Sequence, residues 1–255
     1  MAELSILLPS LRPDAVRRKV EEFLLTNADV DYELVIVSPF KVEGERVVHV
    51  PETERRGVIH AINEAYRHDK GQYIVLWSDD ATPEHGCLRR MLDFVRNKPI
   101  PFLASFRRRG LNGKEAEQWA VYGKLYAGWL CAARQTFDRV GGLFEPSFKN
   151  YWADPDLSLR VWKQGGKVEV CKDAWIGVEQ IDDQVKSDNL SSSFDKDTSV
   201  FFERWHSEFG KGARKVWTDI NVPVPHSLGG HVRAVLRRVP LLRKIKRSVA
   251  NLAGQ

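Results

Sequence analysis

The first half of the chain alternates short apolar runs with amphipathic helical patterns, which restricts it to βαβ units on a mostly parallel sheet. "LSILLP" (4–9) reads as a buried strand, and "RPDAVRRKVEEFLLTN" as a helix with Pro13 in its first turn. "YELVIVS" (32–38), a short "RVVHV" (46–50), a helix over "GVIHAINEAYRHDK" stopping at Gly71, and a strand "QYIVLW" (72–77) continue the pattern. Thr82 and Pro83 are expected to open the next helix, which runs to about Asn97. The second half is less regular. Strands are expected at 102–109 and 127–133 with a polar loop "GLNGKEAEQWAVYG" between them. "RQTFDRV", "DPDLSLRVWKQGG" and "DKDTSVFFERWHSEFG" read as helices, "KVEVCKDAWIGVEQ" as strand and loop, and 181–199 as a flexible polar segment.

With 255 residues, 43% of them hydrophobic, the chain is long enough to bury a sizeable α/β core. Cys87, Cys131 and Cys171 are far apart and outside C-x-x-C spacing, so neither a disulfide framework nor a zinc site is indicated, and a reducing cytoplasm fits best. The N-terminus lacks a basic leader, and no apolar run approaches the ~18 residues of a membrane span. The net charge of +5 resides in the tail: residues 226–255 hold seven Arg or Lys and no acid. Taking those seven from the total of 39 leaves 32 basic against 34 acidic residues, a net charge of −2.

"LWSDDATP" (76–83) raises the functional question, because it sets Asp79 beside Asp80 where a buried strand emerges. Ligands of open α/β sheets bind at the carboxyl ends of the strands. Adjacent acids at such an end are costly without an offsetting cation, and Mg²⁺ or Mn²⁺ takes one or two carboxylates together with substrate phosphates. The pair therefore suggests a metal and diphosphate site. The same residues also suit a solvated surface turn.

A second acidic segment, "GGLFEPSFKNYWADPDLSLRVWKQGGKV" (141–168), sets Asp154 and Asp156 around Pro155 at a helix start. Together with "SILLPS" and "RRGVIHAINEAYRHDKGQYIVLWSDD", in order and spacing over roughly residues 3–210, the chain resembles the family 2 glycosyltransferases of the GT-A fold. The resemblance implies a Rossmann-like, mostly parallel α/β sheet flanked by helices. With residues 211–255 set apart as a basic amphipathic helical tail read from its own composition, a nucleotide-sugar half would occupy about 1–100 and an acceptor half about 101–210 of the resemblance. It implies a divalent cation, Mn²⁺ or Mg²⁺, on Asp80, with Glu179 a weak further ligand and Asp79 near the ribose or metal. Ser78 stands where the family often has its first acid.

By the same resemblance Asp154 falls on the general base of an inverting transfer and Asp156 on the following acid, with Ala153 replacing the usual glutamate. Pro9, Ser10 and Arg12 fall where the nucleotide base is held, Ser38 where an aspartate usually contacts it, and Arg56, Gly57 and Asn63 beside the nucleotide. Trp129, Tyr151 and Trp152, with Asp156, are acceptor candidates, although tryptophans more often pack in cores. Arg56 and Asn63 equally suit solvated positions, and Asp154 a helix cap.

In the tail, apolar residues at helical spacing with basic residues between them suit an anionic membrane face through 229–252, consistent with a glycan or lipid-linked saccharide acceptor. Packing on the domain or a homo-oligomer contact are the alternatives. Nucleic acid is disfavoured because the basic tail lacks aromatics and any binding module. A silent relative that binds sugar nucleotides without transferring them stays open through Ser38, Ser78 and Ala153. A nucleotidyltransferase is disfavoured by the missing glycine-rich, lysine-bearing phosphate loop.

Overall fold

The computed structural model describes residues 2–110, 112–116, 118–179 and 181–209 and the backbone of 222–224. The first half follows the expected alternation: β1 (Leu4–Pro9), α1 (Pro13–Thr26), β2 (Tyr32–Ser38), β3 (Val47–Pro51), α2 (Val58–His68) and β4 (Tyr73–Leu76). Then come β5 (Ala81–Pro83), α3 (Cys87–Val95), β6 (Phe102–Gly110), β7 (Gln118–Val121), β8 (Lys124–Tyr126), β9 (Leu130–Ala133) and α4 (Arg134–Arg139). The described part ends with α5 (Ala153–Lys163), β10 (Lys167–Val178), α6 (Gln184–Phe209) and β11 (Val222–Val224).

Eight strands form one sheet in the order β3-β2-β1-β4-β9-β6-β10-β5, and β11, β7 and β8 form a small second sheet. β1 is parallel to both neighbours, with Leu4 opposite Tyr32 and Tyr73, so β1, β2 and β4 all open their carboxyl ends on one edge. Successive β1 side chains serve different layers. Leu7 packs in one core with Val35, Ile59 and Leu130, while Ile6 and Leu8 pack in the other with Val16, Phe23 and Trp77. Burial on both faces is why this strand reads as an unbroken apolar run.

Three expectations are corrected. Ala81–Pro83 is a short edge strand antiparallel to Ile176–Val178, and the following helix starts only at Cys87, after Gly86 at φ 65°. An edge strand tolerates proline, and the Thr82 hydroxyl accepts from Lys19 Nζ (2.9 Å) instead of capping a helix. The polar loop before β9 contains the β7–β8 hairpin, turned by Tyr122 and Gly123 at φ 49° and 74°. The segment 181–199 is largely helical, as the first part of α6.

Polar composition hid that helix because its anchors are polar. The fully buried Asp197 carboxylate accepts the backbone N–H groups of Lys149 (3.0 Å), Asn150 (2.9 Å) and Tyr151 (2.9 Å). Phe201 and Trp205 lie one turn and two turns further on in the same core. Asp197→Ala is expected to cost about 3 kcal/mol by leaving several donors unpaired, measured as a lower urea midpoint at unchanged slope. No helix among the described residues is long and apolar enough to cross a membrane. The expected basic segment 229–252 lies outside the described residues.

Candidate functional site

A cleft of about 360 Å³ opens at the carboxyl ends of β1 and β4. Pro9, Ser10 and Arg12 enter it after β1, Ser78, Asp79 and Asp80 after β4, Gly57 before α2, Trp129 before β9 and Asp154 from α5. The parallel register creates this convergence, because strands paired in phase end together and release their loops to one side.

Asp79 is only 6% exposed, and protein donors hold both its oxygens. Ser10 Oγ donates to Oδ2 at 2.6 Å and Arg12 Nη1 to Oδ1 at 2.8 Å. Arg12 also grips Asp183 in a bidentate pair, Nε to Oδ2 at 2.6 Å and Nη2 to Oδ1 at 2.9 Å. That bond holds the guanidinium firmly charged and the Asp183 carboxyl well below the usual carboxylate range. Arg12 thus offsets the repulsion between the paired acids within the protein itself. Asp80 differs: burial pushes its pKa up, a hydrogen bond from Ser78 opposes the rise, and Asp79 adds to it. Ser78 in turn accepts the Trp129 indole N–H at 2.8 Å, which fixes its hydroxyl.

The residues suit a divalent cation of one kind. No group of three His, Cys, Asp or Glu side chains comes together among the described residues, so a cage made wholly of protein is not provided. Asp80 lines the cleft as one half-buried carboxylate, which fits a hard cation that draws its remaining ligands from a diphosphate and water. Glu179 donates its backbone N–H to the Asp80 carbonyl at 2.8 Å, but its side chain is exposed and is not part of the cleft wall.

Asp154 lies at the start of α5, where burial raises its pKa to about 7. A Cβ on Gly128 would sit 3.9 Å from its Oδ2, so the bare glycine backbone forms the adjacent wall. The Tyr126 hydroxyl is held protonated chiefly by burial, with the Asp154 charge adding to the effect and Arg108 opposing it. Gly57, at φ 106°, faces the loop before α5 so closely that a Cβ would lie 2.6 Å from the Lys149 carbonyl. Lys149 O and Asn150 Oδ1 accept the N–H groups of Ile59 (3.1 Å) and Val58 (3.0 Å), so this loop caps α2.

Several expected residues stand elsewhere. Asp156 is fully buried, accepts from Arg160 Nε and Trp205 Nε1 at 2.9 Å each, and ties α5 to α6 rather than meeting an acceptor. Asn63 exchanges hydrogen bonds with the Phe144 backbone (3.0 and 3.3 Å), bracing the cleft wall from behind. Ser38 is buried and donates to the Phe40 carbonyl at 2.6 Å. Arg56 is exposed and stands outside the cleft wall, which Arg55 lines instead. Trp152 stacks on Phe201 at 4.9 Å and donates to Thr198, and Tyr151 meets Phe194 edge-on at 5.2 Å. Both belong to the seam between α5 and α6. Sequence reading missed Glu52, Val185 and Asn189 in the cleft wall, and no local motif marks them.

Over residues 14–144, just over half of its length, the chain matches the profile of Glycosyl transferase family 2. No curated protein sequence matches it. Among solved structures it is similar to a mannosyltransferase, PcManGT, from Pyrobaculum calidifontis in complex with GDP-Man and Mn²⁺. That similarity has a TM-score of 0.61 and 18% identity, and covers 100% of this chain and 81% of the other. It is similar to S. aureus TarS 1–349 in complex with UDP-GlcNAc (TM-score 0.55, 14% identity), covering 79% of this chain and 64% of that one. It is also similar to GalNAc-T7 with UDP, GalNAc and Mn²⁺ (0.56, 13%), covering 79% and 50%. The chain therefore spans less than two thirds of the length of the last two.

Proposed function

The chain belongs to glycosyl transferase family 2 and has the GT-A fold, and we propose that it moves one sugar from a nucleotide-diphosphate sugar to a saccharide hydroxyl with inversion. The observation that carries this reading is the convergence on one cleft of the Asp79–Asp80 strand end and a carboxyl group poised near neutral pH, Asp154. The three solved relatives carry UDP, UDP-GlcNAc or GDP-Man, which supports a nucleotide-sugar donor for this cleft.

In this reading Asp154, once ionised, accepts the proton of the acceptor hydroxyl as that oxygen attacks the anomeric carbon. The bond from that carbon to the diphosphate oxygen breaks, and the nucleoside diphosphate leaves with the electron pair. Asp80 would hold a divalent cation, which when bound neutralises charge growing on the diphosphate. Arg12 is already paired with Asp79 and Asp183, and its rigid fork to both holds this wall of the cleft so that little reorganisation is needed. Trp129 and Ser78 orient the Asp80 carboxylate.

Calorimetric titration of the wild type with UDP, GDP and dTDP, each with and without Mn²⁺, tests the reading. One nucleotide is expected to bind in a Mn²⁺-dependent way. Binding of none of them, with the protein shown to be folded, would remove the donor assignment.

A further inference from the structure

Asp183 lies 171 residues from Arg12 in sequence, immediately before α6, yet its carboxylate accepts two donors, Nε and Nη2, along one edge of the Arg12 guanidinium. Asp79 takes a third donor of that guanidinium, so one side chain joins the strand end that carries the acid pair to the start of α6. Lysine would not reproduce it, because a compact ammonium has no planar fork with which to make the paired bonds to Asp183. A second arginine strengthens the seam. Arg55 Nη2 donates to Asn189 Oδ1 at 3.0 Å, and its Nη1 lies 3.7 Å from the Asp188 carboxylate. Between these two ties, Val185 and Asn189 form part of the cleft wall.

We propose that Asp183 is a positioning residue for donor binding, clamping Arg12 onto Asp79 and fixing the first two turns of α6 as a wall against which a nucleoside diphosphate packs. The proposal rests on the donor-site reading of the cleft. Its reach is confined to the donor. The middle of α6 is held separately, by Asp197 and Thr198 on the segment leading into the Asp154 helix, so loosening the start of α6 leaves Asp154 in place.

Asp183 also caps α6, its Oδ1 accepting the Lys186 N–H at 2.9 Å. The test must therefore separate cap from clamp, and Asp183→Asn does so. Asparagine keeps the capping oxygen, since it is nearly as good an N-cap, but loses the charge and the second acceptor that complete the Arg12 fork.

In the donor-dependent arm, D183N is expected to raise nucleotide Kd with Mn²⁺, and donor KM, about tenfold with kcat within about twofold. Adding D183N to Arg12→Ala should change Kd by less than about twofold, because the clamp is already gone. In the donor-free arm, the amides of 185–189 should exchange with solvent at least about tenfold faster in D183N, while those of 197–205 are unchanged. Wild-type nucleotide affinity and exchange in D183N, or an undiminished D183N effect on the Arg12→Ala background, would overturn the proposal. A wild type that binds no nucleotide, together with faster exchange of 185–189 in D183N, would confirm the clamp and sink the donor reading instead.

Discussion

Asp154→Asn is expected to lower sugar transfer about 10³-fold while leaving nucleotide binding intact, and at the same time to stabilise the protein above neutral pH. The two effects share one cause. Burial raises the Asp154 pKa to about 7, so the folded chain keeps this proton in a range where the unfolded chain, with an ordinary aspartate near 4, has released it. Between those values the folded state binds more protons, and unfolding free energy falls as pH rises. Above pH 7 the fold bears the full cost of a charged carboxylate, at most about 4 kcal/mol. Asparagine never ionises and escapes that cost. Urea unfolding at pH 4 and pH 8 checks the sign: the variant and wild type should nearly coincide at pH 4 and separate at pH 8, the variant being more stable. Wild-type kcat/KM should climb about tenfold per pH unit below 7 and level off above it. A variant with wild-type turnover, or a stability gap independent of pH, would remove Asp154 from the role of base.

How much of this was legible in the sequence depends on how far each feature reaches along the chain. β1 and β2 coincide with their apolar runs because both faces are buried, so composition alone marks them. β5 was misread as a helix start because three residues, proline among them, become a strand only through their pairing with Ile176–Val178. α6 was hidden because the groups that anchor its first half are Asp183 and Asp197, whose partners lie in distant segments. In the site, Asp79 and Asp80 drew attention as adjacent like charges, and Asp154 through its place in an ordered set of motifs. Sequence reasoning assigned the compensation of that pair to a metal and a diphosphate. The structure puts Arg12 and Ser10 on Asp79, which no spacing rule shows.

That division of labour leads to unequal outcomes for the two neighbouring acids. Asp80→Ala is expected to weaken Mn²⁺-dependent nucleotide binding about 10²-fold, close to 3 kcal/mol, and to leave the metal-free affinity almost unchanged. Asp79→Ala should retain the response to Mn²⁺, because both oxygens of Asp79 are already engaged, one of them by the charged Arg12, whereas the Asp80 carboxylate accepts only the neutral Ser78 hydroxyl on Oδ1 and has no cationic partner among the described residues. Its cost falls instead on the fold, where a buried hydroxyl and an arginine lose an acceptor, expected at about 2 kcal/mol in urea unfolding. Paired titrations of UDP or GDP with and without Mn²⁺ decide between the acids. Loss of the Mn²⁺ response in Asp79→Ala but not in Asp80→Ala would mean that Arg12 yields Asp79 to the cation when donor binds. In that case the Arg12 contact with Asp79 would describe the resting cleft alone, and the metal would be coordinated one residue earlier than this geometry indicates.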